Sequence, residues 1–396
     1  RLRRLSGEAQ AVLGVGHMKA SRAVNIEDLR QAAKRALPRM VFDYIDGGAD
    51  DEITLRKNTE RLRAHELIWD CLVDVTKIDT RTKVMGSEMK LPFVLSPTAL
   101  QRMFHVDGEK AAAAAAGKAG IAYGLSTLGT TTVEDVAKAT PGPKWYQIYV
   151  WKDHGLVREI LARAKAAGFT GAVLTVDLPV AGHRERDTRN QFSIPPVMKP
   201  YIVWQAIQRP RWLYRTLTSP KMVPANFPGA SEGDARSIAQ QVAAQYDQSV
   251  TWKDAAWMIE AWGGPFAIKG VAHADDARRA LDIGASCVWV SNHGGRQLET
   301  CPATIDVLPE IVDAVAGRAE IVFDSGVRRG TDIVKALALG ATAVAVGRAY
   351  LYGLAAGGEA GVSRAIQILA EDVRRTMALI GAKDIASIAR RHVRMR

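Results

Sequence analysis

The hexapeptide Ser-Asn-His-Gly-Gly-Arg at residues 291–296 contains the residue types of an acid–base site. It follows the apolar run 287–290, which predicts a buried strand that ends at the hexapeptide. A histidine titrates near neutral pH, an arginine binds a carboxylate through paired hydrogen bonds, and glycines allow close backbone approach to a flat ligand. The pattern predicts catalysis on a small organic acid. The alternative is a strand-end turn with His293 and Arg296 on the surface.

The elements that must position this hexapeptide alternate along the chain as short apolar segments and amphipathic segments. This alternation is typical of parallel strands joined by helices. Strands are predicted at residues 92–96, 122–126, 145–149, 171–176, 265–269, 287–291, 320–324 and 342–347, with helices such as 156–167, 274–283 and 331–339 between them. Eight such units predict an α/β fold, a closed TIM (β/α)8 barrel. A doubly wound sheet is the alternative, but no G-x-G-x-x-G turn follows the first strand.

Polar residues fall at the ends of these predicted strands. In a TIM barrel the C-terminal strand ends form the active site, so these side chains should meet. Lys269 is notable because it ends an apolar strand, where a buried ammonium group needs a partner. The strand-end residues are Ser96, Pro97, Thr98, Ala99, Ser126, Gln147, Tyr149, Thr175, Asp177, Lys269, Ser291, His293, Asp324, Ser325, Gly326, Gly347 and Arg348.

Three regions fall outside the predicted strand and helix repeat. Residues 1–90 carry helical patterns at 26–35 and 38–45 and predict an N-terminal helical cap on the barrel of residues 91–385. Residues 386–396 predict a solvated basic tail. Residues 178–250, after the fourth strand, are far longer than a usual strand-to-helix loop and predict an insertion or lid.

The segment 195–230 of this insertion mixes aromatic and basic residues. This composition predicts docking to an anionic membrane surface. The alternative is that the aromatic side chains pack on the barrel while the basic ones face water. The residues concerned are Tyr201, Trp204, Trp212 and Tyr214 with Lys199, Arg209, Arg211, Arg215 and Lys221.

Composition excludes several classes of protein. Cys71, Cys287 and Cys301 have neither paired nor metal-ligand spacing, which predicts a reducing compartment and no structural metal. No apolar run approaches the roughly 20 residues that span a bilayer, and no secretion signal is recognisable. A net charge of +11 would suit nucleic acid, but no nucleic-acid-binding signature accompanies it, so no such partner is expected.

Three motifs resemble those of the FMN-dependent L-2-hydroxy-acid oxidases and dehydrogenases, a family that includes glycolate oxidase, L-lactate dehydrogenase and (S)-mandelate dehydrogenase. They are Ser-Asn-His-Gly-Gly-Arg-Gln-Leu at 291–298, Asp-Ser-Gly-Val-Arg-Arg-Gly at 324–330 and Leu-Ser-Pro-Thr-Ala at 95–99. The resemblance covers roughly residues 24–385 and is strongest to the bacterial membrane-associated mandelate and lactate dehydrogenases, through residues 182–187, 209–212 and 347–353. It implies a TIM barrel with FMN at the strand C-termini, often in a homotetramer.

The resemblance also implies roles for individual residues. His293 would be the base, oriented by Asp177, and Lys269 would face the part of the flavin where negative charge accumulates. The remaining implied residues bind substrate or cofactor. Tyr44, Tyr149, Arg184 and Arg296 would contact the substrate, with Tyr149 also catalytic, and Pro97, Thr98, Ala99, Ser126, Gln147, Thr175, Lys269, Ser291, Asp324, Gly326, Arg328, Gly347 and Arg348 would bind FMN.

Four departures from the family pattern bear on specificity. Leu128 and Ala181 replace the tryptophan and leucine of glycolate oxidases, which predicts a roomier substrate pocket. Ala99 stands where mandelate dehydrogenase has glycine and matches the glycolate oxidase pattern. The residues Glu-Thr-Cys at 299–301 replace the family's usual acidic residue and glycine, for which the sequence gives no reason.

Together these patterns predict FMN-dependent oxidation of an (S)-2-hydroxy acid, mandelate-like or lactate-like, to the 2-oxo acid. Electrons would pass to a membrane quinone or a similar acceptor. The enzyme would be cytoplasmic and peripheral on the inner face of the plasma membrane. One alternative is a 2-hydroxy-acid oxidase that reduces oxygen, and another is a flavin-free TIM-barrel isomerase or lyase that binds a substrate phosphate.

Overall fold

The computed structural model describes residues 20–192, 199–220, 222–227, 244 and 246–395. The first nineteen residues of the predicted cap, Lys221 and part of the predicted insertion lie outside these ranges. The strands are β1 (His65–Leu67), β2 (Thr82–Val84), β3 (Ser87–Met89), β4 (Phe93–Thr98), β5 (Tyr123–Ser126), β6 (Lys144–Ile148), β7 (Gly171–Thr175), β8 (Phe266–Val271), β9 (Cys287–Val290), β10 (Glu320–Phe323), β11 (Ala343–Val346) and β12 (Val393–Met395).

Helices cover the outside of these strands. The α-helices are α1 (Ile26–Ala36), α2 (Arg39–Asp46), α3 (Ile53–Ala64), α4 (Gly108–Ala119), α5 (Val133–Ala139), α6 (His154–Ala166), α7 (Glu185–Arg189), α8 (Pro200–Ile207), α9 (Pro210–Leu217), α10 (Trp252–Trp262), α11 (Ala274–Asp282), α12 (Thr304–Val315), α13 (Gly330–Ala338) and α14 (Arg348–Ile380). Short 3-10 helices lie at Ala20–Arg22, Gln101–Met103, Ile385–Ser387 and Arg390–His392.

Strands β4 to β11 form a closed barrel of parallel strands, and β11 completes the ring by pairing with β4. Each of the eight predicted strands is present, with its ends within two residues of the prediction. A helix follows every barrel strand, and the insertion, with α7, α8 and α9, lies between β7 and α10. The structure confirms the predicted TIM barrel with an N-terminal helical extension and an insertion after its fourth strand.

The interior of the barrel is apolar at the N-terminal ends of the strands. Trp145 and Trp289 meet edge to face there, with ring centroids 6.2 Å apart. Met85 and Met89 of the β2–β3 hairpin join the same buried cluster, so the hairpin closes this end of the barrel. Truncating a side chain as large as Trp289 would cost about 3–5 kcal/mol of folding free energy. The cavity lined by strand-end residues therefore lies at the opposite end of the barrel.

Local sequence explains where helices begin and end. The Asn25 side chain accepts a hydrogen bond from the Asp28 amide at 2.8 Å and starts α1, and the Thr132 side chain caps α5 in the same way at 3.2 Å. Helices α4 and α10 end at Gly120 and Gly263, which have φ values of +69° and +57°. Glycine adopts this left-handed conformation without steric cost.

Two irregularities in the barrel lie next to strand-end residues. The register shifts between Leu95 and Thr98 on β4 and between Lys269 and Val271 on β8. Gly270, with φ of +107°, permits the second shift. Such bulges redirect side chains, and here they occur at the segments that carry the predicted flavin-binding residues.

The C-terminal residues differ from the predicted solvated tail. Val393–Met395 forms β12, which pairs antiparallel with β1. The Arg391 and His392 side chains bind the Asp70 carboxylate at 2.8 and 3.1 Å, and His392 is buried. The arginines here are largely exposed, as expected, but acidic partners and strand pairing fix the backbone. Sequence composition alone did not indicate those partners.

Within the described residues, no helix has the length and hydropathy to cross a membrane. Nor does the described part of the chain bring together three or more side chains that could hold a metal ion.

Candidate active site

A cavity of about 650 Å³ opens at the C-terminal end of the barrel strands. Most of the predicted site residues line it, which confirms that the strand ends meet. Those in its wall are Tyr44, Pro97, Thr98, Ala99, Ser126, Tyr149, Arg184, Lys269, His293, Arg296, Asp324, Gly326, Arg328, Gly347 and Arg348. The other predicted residues, Gln147, Thr175, Asp177 and Ser291, lie at the ends of the same strands or directly after them and are buried or nearly so.

His293 and Asp177 form a hydrogen-bonded pair at the mouth of the barrel. Nδ1 of His293 lies 2.9 Å from Oδ1 of Asp177, and the aspartate side chain is 11% exposed. Burial would raise the pKa of Asp177, but the charges of His293 and Lys269 outweigh it and lower that pKa below its usual value. Because an ionised Asp177 can only accept a hydrogen bond, Nδ1 of His293 is the protonated donor and Nε2 is the basic atom.

The backbone around His293 is strained. His293 has φ of +56° and Ser325, on the neighbouring loop, has φ of +85°. Ser325 Oγ accepts a hydrogen bond from the amide of Gly294, the residue after His293, at 3.0 Å and so connects the two loops. Left-handed conformations of non-glycine residues cost of order 1–3 kcal/mol and persist where surrounding contacts fix them. This loop is therefore held in one conformation at the expense of local stability.

Lys269 supplies a buried positive charge. Its Nζ donates to Ser291 Oγ at 2.9 Å and lies 3.6 Å from Asp324 and 4.0 Å from Asp177. These two carboxylates provide the partner that a buried ammonium group needs. The same Ser291 Oγ accepts from the His293 amide at 3.1 Å, which links the lysine to the loop that carries His293.

Arg296 and Arg184 converge on Tyr44. Their guanidinium carbons lie 4.9 and 5.8 Å from the centre of the Tyr44 ring. Arg184 pairs with Asp187 at 2.7 Å, whereas Arg296 donates to the carbonyl oxygens of Tyr44 and Gly47. Burial and the nearby charge of Arg184 lower the pKa of Arg296, although Tyr44 and Asp187 partly oppose them. An anionic ligand would stabilise the charged form.

A second cationic group lies around Arg348. Its guanidinium donates to the carbonyl oxygens of Ile45, Gly294 and Gly47 at 2.7–2.8 Å. Burial and the charge of Arg296 lower the pKa of Arg348 to about 9. Arg328 is also close enough to contribute to that lowering. Positive charges brought this near to one another favour an anion such as a phosphate group.

The cavity passes a test for a flavin mononucleotide. Within the described residues, Gln147 Nε2, Thr175 Oγ1 and Asp177 Oδ2 are buried polar atoms without a hydrogen-bond partner. Such atoms are costly unless a ligand satisfies them. Gly347, at the start of α14, leaves open space, because an added Cβ would meet only Ser96 Cβ at 3.9 Å. Polar strand ends at one side and arginines at the other match a ring system that carries a phosphate.

Helix α2 brings Tyr44 to the site through an ion-pair network that the sequence did not reveal. Asp46 accepts two hydrogen bonds from Arg30, at 2.6 and 2.8 Å, and one from the Tyr352 hydroxyl at 2.8 Å. Arg186 of α7 bridges Asp46 at 3.2 Å and Glu52 at 2.5 Å. Because α7 begins directly after Arg184, the network fixes the two helices that carry substrate-binding candidates.

The structure explains Glu299, for which the sequence gave no reason. Its carboxylate accepts hydrogen bonds from the amides of Ile53 and Thr54 at 3.0 and 2.7 Å. It thereby caps α3, whose own preceding residue, Glu52, has φ of +61° and makes no cap with its side chain. This contact joins the loop at residues 291–301 to the N-terminal extension. Only the acidic character of residue 299 could have hinted at it.

Tyr246 is a lining residue that sequence reasoning missed. It lies at the end of the insertion, and its ring centroid is 6.2 Å from that of Tyr149. Leu128 and Ala181, which the sequence associated with a roomier pocket, line the same cavity. No local motif surrounds Tyr246, so only the fold reveals that it reaches the site.

The predicted docking segment is divided between packed and exposed side chains. Trp212 donates its indole N–H to the Met103 carbonyl at 2.8 Å and packs against the core, so its assignment to the docking surface is wrong. Arg209 is half-buried and donates to Leu37. By contrast, the side chains that are exposed on α8, on α9 and on the residue before α8 include Tyr201, Trp204, Ile207, Arg211, Tyr214, Arg215, Leu217 and Lys199. We call this set the exposed aromatic face.

Comparisons with known proteins agree with this geometry. A family model described as FMN-dependent dehydrogenase matches residues 33–395. The chain is 42% identical to an L-lactate oxidase of Nostoc sp., over 93% of this chain and 97% of that protein. It is 41% identical to glycolate oxidase 3 of Arabidopsis thaliana, over 93% and 95%. The crystal structure of the monotopic membrane protein (S)-mandelate dehydrogenase matches with a TM-score of 0.91 at 37% identity, covering 94% of this chain and all of that one.

Proposed function

This chain belongs to the FMN-dependent dehydrogenase family, whose members named above act on 2-hydroxy acids, and we propose that its own substrate is a mandelate-like (S)-2-hydroxy acid, with a lactate-like acid as the smaller alternative. The observation that carries this proposal is the juxtaposition of the His293–Asp177 pair with Arg296 in a cavity that also has an apolar wall. Leu128 and Ala181 in that wall support a bulky substrate side chain.

Arg296 and Arg184 bind the substrate carboxylate in this proposal. Two guanidinium groups near the Tyr44 ring give the carboxylate a fixed orientation, because paired hydrogen bonds restrain both of its oxygens. Arg184 exchanges part of its contact with Asp187 for the substrate. An amide or an alcohol lacks the charge that this pair of arginines requires, so neither should be a good substrate.

His293 then accepts a proton from the substrate at Nε2. Asp177 stabilises the imidazolium that results, because its carboxylate lies 2.9 Å from Nδ1. The strained loop keeps Nε2 in place, and Tyr149, whose pKa burial and Asp177 raise, stays a neutral hydrogen-bond donor beside it. A bound FMN would supply the acceptor for the two electrons that leave the substrate carbon.

The residues that would hold FMN divide by chemistry. The hydrogen-bonding groups are Ser126, Gln147, Thr175 and Ser291, with the 97–99 segment beside them, and Asp324 and Gly326 continue the site toward the phosphate. Arg328, Gly347 and Arg348 would bind the phosphate. Lys269 would supply a buried positive charge to a bound flavin, and such a charge would favour the anionic reduced form of the ring system.

For the electron acceptor we propose a membrane quinone or similar carrier. The exposed aromatic face supports this, since aromatic side chains with Lys199 and Arg211 suit the interface of an anionic membrane. The enzyme would then be peripheral on the inner face of the plasma membrane, as a homotetramer. Ala99 in the cavity wall favours a second candidate, an oxidase that reduces oxygen, because it follows the glycolate oxidase pattern.

Anaerobic mixing with a panel of hydroxy acids tests the proposal. We expect (S)-mandelate to bleach the flavin absorbance faster than L-lactate and glycolate, and the R enantiomer to be inert. Steady-state rates with a quinone, oxygen and a dye then identify the acceptor. Protein that cannot be reconstituted with FMN, or that no hydroxy acid reduces, would contradict the assigned chemistry.

A further inference from the structure

The substrate cavity has a polar side and an apolar side, and Tyr149 adjoins both. The charge of Arg296 and the Tyr44 hydroxyl are near enough to influence the pKa of Tyr149, whereas its ring contacts Tyr246. The cavity wall also contains the apolar residues Leu128, Trp151, Leu178 and Pro224, together with the ring of Tyr246. An acid whose carboxylate binds the arginines would direct its side chain toward these residues.

Tyr246 is fixed to the barrel by its backbone. Tyr246 pairs with Trp151 in an antiparallel bridge, and the Asp247 amide donates to the Val150 carbonyl at 3.1 Å. The side chain is half-buried, and burial with the charge of Asp177 raises the pKa of Tyr246 to about 12. The ring is therefore neutral near neutral pH and lies within electrostatic reach of the catalytic pair.

We infer that Tyr246 is a specificity-determining residue whose ring, together with that of Tyr149, forms the contact surface for an aromatic side chain of the substrate. The two rings are tilted by 56°, so a third ring can meet one of them face to face and the other edge to face. This inference rests on the proposed function, because it assumes that the substrate is a 2-hydroxy acid bound by the arginines.

Two inert carboxylates separate the contribution of Tyr246 from that of the arginines. Phenylacetate and acetate lack the 2-hydroxyl group and cannot be oxidised, and their dissociation constants are measured on the holoenzyme from the change in flavin absorbance. For Tyr246→Ala we expect a roughly tenfold weaker affinity for phenylacetate, the upper range for an aromatic pair, with a change of less than about twofold for acetate. The ratio of kcat/KM for (S)-mandelate to that for L-lactate should fall by a similar factor.

Three further variants keep the test decisive. Tyr246→Phe should retain the preference for phenylacetate because the ring remains, and Tyr246→Leu should lose it even if the alanine variant folds poorly. Tyr214→Leu alters an exposed tyrosine of the exposed aromatic face and should change neither affinity. An unchanged phenylacetate preference in both Tyr246→Ala and Tyr246→Leu would overturn the inference. A wild-type enzyme without such a preference would instead overturn the proposed substrate class.

Discussion

The loop at residues 291–301 and the exposed aromatic face both lie outside the regular barrel, but they are built in opposite ways. In the loop, Ser291, Asn292 and Glu299 each form hydrogen bonds to other segments, and His293 is held in a left-handed conformation. In the face, the Trp204 side chain is 61% exposed. A loop that transfers protons needs fixed atoms, whereas a surface that contacts a fluid partner needs only accessible area.

The largest effect should come from replacing His293, the proposed general base in the loop at residues 291–301. We expect His293→Ala to retain FMN yet lose flavin reduction by about 10²–10⁴-fold, the usual contribution of a general base. The rate is measured by anaerobic rapid mixing with (S)-mandelate. His293→Asn is the matched control for the backbone, because asparagine tolerates positive φ, and it should be equally slow. Normal reduction in either variant would exclude His293 from the mechanism.

Replacing Arg296, one of the two arginines proposed to bind the substrate carboxylate, should have the next largest effect. Arg296→Met should weaken substrate binding by roughly 10–100-fold, because a hydrogen bond to a charged group contributes about 1.5–3 kcal/mol. The loss of its bonds to Tyr44 and Gly47 adds to this effect. The dissociation constant of acetate on the holoenzyme is the measurement. Arg211→Met, on the exposed aromatic face, is the control and should leave that constant unchanged.

The ion-pair network of Asp46, which joins α2 and α7, should be sensitive to acid. Arg30 and Tyr352 lower the pKa of Asp46 to about 2 from a usual 3.8, against the effect of burial. The charged form therefore stabilises the fold by about 2 kcal/mol at pH values above 3.8, and this contribution is lost as the pH falls toward 2. Urea unfolding of Asp46→Asn should show a deficit near neutral pH that narrows in acid. Asp79→Asn, at an exposed carboxylate, should show a smaller deficit; a deficit independent of pH would contradict the assignment.

The sequence predicted the barrel and the strand-end residues well because both depend on local patterns. Apolar runs end at polar residues, and the topology of a TIM barrel brings those ends together. Asp46, Glu299 and Tyr246 were not predicted, since each acts on residues far away in the sequence. Trp212 was assigned to the wrong surface for a related reason: composition does not show which side of a helix is covered by the barrel.

The exposed aromatic face should behave differently from the loop. Replacing Trp204 and Tyr214 by serine should reduce cosedimentation with anionic vesicles while leaving anaerobic flavin reduction nearly unchanged. Each basic residue near such a surface adds about 1 kcal/mol, so raising the salt concentration should release the wild type as well. Phe192→Ser, beside Tyr44, is the contrasting variant and should impair reduction without affecting sedimentation. Unaltered sedimentation of the double variant would leave α8 and α9 as an oligomer contact or a lid.

The smallest effect should show whether the left-handed conformation of Thr300 contributes to function. Thr300 has φ of +58°, is exposed and lies outside the cavity wall, so its strain serves no contact with substrate. Thr300→Gly should relieve about 1–2 kcal/mol of strain, less about 0.5–1 kcal/mol for the greater freedom of glycine in the unfolded chain, and so raise the free energy of unfolding by up to about 1.5 kcal/mol.

Ala316→Gly is the matched control for that substitution, because Ala316 has φ of +50° at the end of α12, away from the loop. Urea unfolding should show both variants to be slightly more stable than the wild type, with unchanged flavin reduction. If Thr300→Gly instead slows reduction while Ala316→Gly does not, the conformation of residue 300 is part of the machinery that positions His293. The fixed region would then extend through Glu299 to Thr300, beyond the residues that line the cavity.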